Sequence, residues 1–101
     1  MKQRLKPEIR RDQILAAALV LAERDGYHNI TRDAIAERAS CSTGLVTRYF
    51  STMLQLKRAV MRAAVKQEIV RVVAQGMVDK NQYAMRAPLA LRERALATIS
   101  G

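Results

Sequence analysis

Apolar residues return every three or four positions along most of the chain, with polar residues between them. Ile14, Leu15, Ala18, Leu21 and Ala22 follow this spacing and predict a first helix from about Glu8 to Asp25. Pro7 sits at its first turn, where the missing N–H would have no partner anyway. Glu8 and Asp12 lie near the positive end of the helix dipole. Gly26 follows the last periodic residue and suits the position that ends a helix. In the loop "GYHNIT", Tyr27 and Ile30 are expected to plug the core. His28 has no acidic or cysteine neighbour in sequence and reads as a plain surface residue.

Thr31 is a good cap for a second helix, about Arg32 to Ala39, with Asp33 in its first turn. Ile35, Ala36 and Ala39 form its inner face. "SCS", Ser40 to Ser42, breaks it, and Ser42 caps a third helix, about Thr43 to Phe50. Ser51-Thr52 offers another cap, and the spacing predicts one long helix from about Met53 to Met77. That helix carries two apolar stripes. Leu56, Ala59, Val60, Ala63, Gln67, Val70 and Ala74 belong to one; Met61, Val65, Ile69, Val72 and Val73 form the other. A helix that only covers a small three-helix unit needs one stripe, so the second is expected to bury itself against something else. Gly76 and Asp79 to Asn81 mark a turn, residues 82–87 fit a short helical turn, and a last helix begins near Pro88 with Leu91, Ala95 and Ile99 spaced by four. No alternating strand pattern occurs. The fold class is therefore all-α, with a basic arm and three-helix head over 1–52 and a helical dimerisation segment over 53–101.

Charge sharpens this picture. Lys and Arg number 18 against 9 Asp and Glu, a formal net charge of +9 over 101 residues. Such a chain favours an anionic partner, nucleic acid before a membrane surface. The most apolar run, Ile14 to Ala22, is too short to span a bilayer, and no cleavage site follows it. A cytoplasmic protein without a membrane partner is expected. One cysteine, Cys41, and one histidine, His28, give no disulfide and no zinc ligand set. No metal and no cofactor are expected. Cys41 reads as a small buried thiol in the turn.

The second and third helices form a helix-turn-helix candidate. Ala36 is small enough for the two helices to approach, "SCS" supplies the turn, and Ile35, Ala39, Cys41 and Val46 point inward. The outer face of the third helix would then enter the major groove. Ser42, Thr43, Thr47 and Arg48 are donors or acceptors there, and arginine pairs bidentately with guanine. Gly44 lets the backbone approach DNA. Thr31 and Arg32 are placed to hold phosphate. Phe50 is read as core and Tyr49 as a phosphate contact through its hydroxyl. There is no nucleophile with a base, no paired carboxylates in a cleft and no glycine-rich phosphate loop. Ser42, His28 and Asp33 lack triad spacing, so the chain does not read as an enzyme.

The stretch Arg10 to Leu56 resembles the DNA-binding domain of the TetR family of transcriptional repressors. Ile14, Ala17, Ala18, Gly26, Tyr27, Thr31, Ile35, Ala36, Ala39, Ser42, Gly44, Tyr49, Phe50 and Leu56 carry the resemblance, in order and without a gap. It implies a three-helix head and an obligate homodimer on a palindromic double-stranded DNA operator. It also implies that Thr31, Arg32, Ser42, Thr43, Gly44, Thr47, Arg48 and Tyr49 line the DNA. Several positions depart from the family pattern. Ser40 replaces the usual glycine of the turn, Cys41 a valine, Thr47 a tyrosine and Met53 a lysine that anchors phosphate, for which Lys57 or Arg58 would compensate. Family members usually carry further helices that enclose a ligand pocket. The short remainder here leads to the expectation of a minimal repressor with no small-molecule ligand. Its dimer interface is expected to use Met61, Val65, Ile69, Val72, Leu91, Ala95 and Ile99. Two alternatives share these features: a DNA-binding accessory factor for replication, partition or recombination, and a protein–protein module binding an acidic partner.

Overall fold

The structure, a computed structural model, describes residues 6–100. Most of the basic arm expected before Pro7, residues 1–5, lies outside the described residues. Seven helices follow in chain order, and the described residues contain no strand: α1 Pro7–Asp25, α2 Arg32–Arg38, α3 Thr43–Tyr49, α4 Met53–Gln67, α5 Val70–Val78, α6 Gln82–Met85 and α7 Leu89–Ser100.

The helix starts are set by hydroxyl caps. Thr31 Oγ1 accepts from the Ala34 N–H at 3.2 Å, Ser42 Oγ from Leu45 at 3.1 Å and Thr52 Oγ1 from Gln55 at 3.1 Å. Each satisfies one orphan donor of a helix N-terminus, stabilising it by about 1 kcal/mol. Asn81 caps α6 in the same way, accepting from Tyr83 and Ala84.

The helix ends share a second device. Ser40, Glu68 and Lys80 all have positive φ, at 55°, 56° and 58°. In each case the following N–H reaches back five residues: Cys41 to the Ala36 carbonyl at 2.9 Å, Ile69 to Ala64 at 2.8 Å and Asn81 to Gly76 at 2.8 Å. This is the Schellman closure, normally built on glycine. A left-handed residue with a Cβ costs roughly 1–2 kcal/mol, which the recovered hydrogen bonds and burial beyond the turn offset.

The closure at Glu68 corrects the single long helix expected over Met53 to Met77: it is α4 and α5 with a sharp break between them. No glycine or proline announces the break. It turns α5 back so that α5 packs on α4, α6 and most extensively on α7. The second apolar stripe is therefore used at home. Met61, Val72, Leu91 and Ala95, expected at a subunit interface, are buried inside the one chain, while Val65 and Ile69 are half-buried and Ile99 is exposed. Gly76, expected in a turn, lies within α5 and is buried. A Cβ there would fall 2.6 Å from Met61 Cε and 2.7 Å from Ala84 Cβ, so glycine is what lets α4, α5 and α6 meet.

The core is continuous. Ile14, Ile35, Val46, Leu56 and Val60 are fully buried where α1 to α4 converge, and Met61, Val72, Val73 and Ala95 extend the same cluster into the second half. Each large apolar side chain so buried contributes about 1.5–3 kcal/mol. Tyr27, Ile30 and Phe50 are buried with them, as the sequence predicts.

Candidate nucleic-acid interface

α2 and α3 are short, and neither could bury a face alone. Ile35 and Ala36 from α2 and Val46 from α3 are buried in one core with residues of α1 and α4, and α2 packs on both α1 and α3, where the small Ala36 lets the helices approach. Ser40 makes the turn in the left-handed conformation that glycine usually supplies. Cys41 is half-buried and packs against the core rather than lying wholly within it.

This packing leaves one face of α3 in solvent. Ser42, Thr43, Gly44, Thr47 and Arg48 are exposed. Thr47 Oγ1 donates to the Thr43 carbonyl at 3.1 Å, which fixes its hydroxyl along the helix. A Cβ at Gly44 would meet only Ser42 Oγ, at 3.8 Å, so nothing inside the chain requires glycine there. The space it leaves is on the outside, where a backbone-to-ligand approach would use it. Arg48 has no ion-pair partner among the described residues. Thr31 is exposed at the start of α2. Arg32 beside it is half-buried, and its Nε is buried without an acceptor among the described residues. Tyr49 is half-buried against the core at the end of α3. Seven of the sequence-predicted residues thus lie on two adjoining helix ends and one exposed helix face, with Tyr49 at its margin.

Lys57 is placed differently. Its Nζ donates to the His28 carbonyl at 3.2 Å, so it ties α4 to the loop ahead of α2. That loop is held by a cluster the sequence does not reveal. The Tyr27 hydroxyl donates to Asp79 Oδ2 at 2.6 Å, and the Tyr27 N–H donates to Gln75 Oε1 at 2.8 Å. His28 Nε2 pairs with the same Asp79 carboxylate, which corrects its reading as a residue without an acidic neighbour. Burial, with the Asp79 carboxylate beside it, holds the Tyr27 phenol well above the usual tyrosine range. About fifty residues separate the partners in sequence, so no local motif could have signalled them.

The described residues hold no group of three or more His, Cys, Asp or Glu side chains arranged for a metal ion. None of the described helices is long and apolar enough to cross a membrane.

Residues 14–60 match the family described as bacterial regulatory proteins, tetR family. The chain is similar to the HTH-type transcriptional regulator BetI of Paraburkholderia xenovorans, 42% identical over 55 residues, covering 54% of this chain and 28% of that protein. It is also similar to the HTH-type transcriptional repressor KstR of Rhodococcus jostii, 36% identical over 67 residues, covering 66% of this chain and 30% of KstR. A BetI of Serratia proteamaculans is 34% identical over 73 residues, 70% of this chain and 37% of its own. The chain thus spans about a third of the length of the curated relatives it matches. No solved structure gives a significant match.

Proposed function

With residues 14–60 belonging to the tetR family of bacterial regulatory proteins, we propose that this chain reads double-stranded DNA through α3 and represses transcription as a homodimer on a two-fold symmetric operator. The observation that carries the reading is the solvent face of α3. It presents hydroxyls, a glycine without an internal reason and an arginine without an ion-pair partner among the described residues, while Val46 on the opposite face is fully buried. Arg48 supplies base readout, while Thr31, Arg32, Ser42, Thr43 and Tyr49 hold phosphate. The net charge of +9 supplies the salt-dependent attraction. Repression is supported by the relative that bears that name.

The dimer reading keeps Ile99 and moves its centre. Leu89, Leu96 and Ile99 are 61%, 48% and 45% exposed, and their spacing puts them on one side of α7. This stripe is offered as the contact between protomers in place of the residues buried within the chain. A groove of about 650 Å³ between α1 and α4 is partly open to solvent, unlike the enclosed cavity that buries a drug-sized ligand.

The test uses duplexes that the chain itself selects. Arg48→Ala should lose about 1–3 kcal/mol at a single base-pair position and leave the other positions unchanged. A uniform loss across all positions would make Arg48 a phosphate contact. No loss would favour a protein–protein module. Sites that fall away from promoters would favour an accessory DNA-binding factor.

A further inference from the structure

A second basic feature lies beside α3, and Arg11 and Arg62 within it have had no role so far. A cleft of about 300 Å³ opens between α1, the end of α3, α4 and α6. Arg11, Arg58 and Arg62 line it, together with Tyr49, Gln55 and Tyr83. None of the three arginines takes part in an ion pair among the described residues, and no carboxylate lines the cleft.

Two of the arginines rest on aromatic rings. The Arg11 guanidinium lies 4.8 Å from the centre of the Phe50 ring, and Arg62 lies 5.5 Å from the centre of the Tyr83 ring. Stacking on an aromatic face orients a guanidinium and leaves its N–H edge free to donate. Gln55 completes the pattern. Its Oε1 accepts from Ser51 Oγ at 2.7 Å, so its NH₂ is the group left to donate. The polar lining therefore consists of three guanidiniums, an amide donor and two phenols, with Phe50 and Ala59 as the apolar remainder. A second hollow of about 360 Å³ shares Arg11 and Arg62 and adds Lys66. Arg58, Arg62 and Lys66 stand at i, i+4 and i+8 of α4, one helix face, so the positive track continues along the helix.

Three like charges line one cleft without a counter-ion, and an anion seated among them would be attracted by all three. Guanidiniums in a fork match the oxygens of a phosphate group. We infer that this cleft is a phosphate-binding site, seating either a backbone phosphate of the bound DNA or a free phosphorylated small molecule. Tyr49 lines both the cleft and the margin of the α3 face, so occupancy and DNA binding are in contact through one side chain. The free-phosphate source stands independently of the DNA reading, whereas the backbone source rests on it.

The experiment titrates the full chain with inorganic pyrophosphate by calorimetry at constant ionic strength, and separately measures affinity for a selected duplex across a salt series. Arg62→Gln and Arg58→Gln are the cleft variants; Arg86→Gln, at an exposed arginine outside it, is the control. Saturable pyrophosphate binding that falls at least tenfold in both cleft variants and persists in the control establishes the site. A duplex salt slope reduced by about 0.9 in Arg62→Gln, with pyrophosphate competing, identifies the backbone as source. An unchanged slope, with pyrophosphate binding the free chain, identifies a free phosphate; that ligand would be a small effector and would replace the expectation of none. Pyrophosphate binding with no sequence-selective DNA binding would keep the cleft and remove the DNA reading. If pyrophosphate binds the cleft variants as well as wild type, or if neither pyrophosphate binding nor the salt slope responds to them, the inference is overturned. Thermal melts of the variants within a few degrees of wild type confirm that fold loss is not the cause.

Discussion

On α3 the side chains turned to solvent include Thr43, Thr47 and Arg48; on α7 they include Leu89, Leu96 and Ile99. Both helices bury their other side in the same continuous core. Burial alone therefore does not separate them, and the chemistry of the free face does. A polar face with an unpaired guanidinium loses little by standing in water and gains a directed bond to a base edge or phosphate. An apolar stripe is stabilised only by removal from water, at about 25 cal/mol per Å². The two helices thus suit different partners: a hydrogen-bonding anion at α3 and an apolar surface at α7.

The largest expected effect breaks the α7 side. Leu96→Glu should convert a dimer to a monomer in sedimentation velocity and, by losing the second half-site, weaken duplex affinity roughly 100- to 10,000-fold. Its melting temperature measured as a monomer should stay near that of a dilute wild type. A variant that remained dimeric would place the subunit contact elsewhere. A smaller effect comes from the interior of the same half. Gly76→Ala forces a methyl group against Met61 and Ala84 and should cost about 1–3 kcal/mol of folding stability by overpacking. Base preference at the α3 face should not change, because no α3 residue adjoins that contact.

The smallest effect tests the join between the halves, where Tyr27 holds α5 through Asp79 and Gln75. Tyr27→Phe removes one hydrogen bond, about 1 kcal/mol. The raised phenol gives this a pH signature. A group whose folded-state pKa lies above its unfolded value contributes stability that is complete below the unfolded pKa, about 10 for tyrosine, and is lost as pH rises through the folded one. Of the three tyrosines, one should ionise late in an ultraviolet titration, with stability declining above about pH 10. Both features should vanish in Tyr27→Phe; a late phenol that persisted there would belong to another tyrosine.

What could be read from the sequence follows from what is local. Thr31, Ser42 and Thr52 announce helix starts because a cap needs only the next three residues. Ile35, Val46 and Leu56 announce the core because helical periodicity is local too. The Glu68 break is different. Its closure depends on α5 finding α4 and α7 to pack against, so a glutamate tolerates a conformation that its own propensity disfavours. The second apolar stripe was therefore legible as apolar, but its destination inside the chain was not. The exposure of Ser42, Thr43, Gly44, Thr47 and Arg48 was legible because they lie within one short helical stretch whose inward positions the periodicity marks. The arginine cleft was not, because Arg11, Tyr49, Arg62 and Tyr83 come from four helices, and only the Arg58–Arg62–Lys66 spacing hints at it.

Whether α3 reads bases and α7 pairs the readers is decided by selection from a randomised duplex pool at about 150 mM salt, where purely electrostatic binding is weakened. The expected result is a two-fold symmetric motif whose half-sites lie about one helical turn, roughly 34–36 Å, or a multiple of it apart. Recovery of an unpaired half-site would contradict the α7 pairing. Recovery of no motif would contradict the reading of α3 itself.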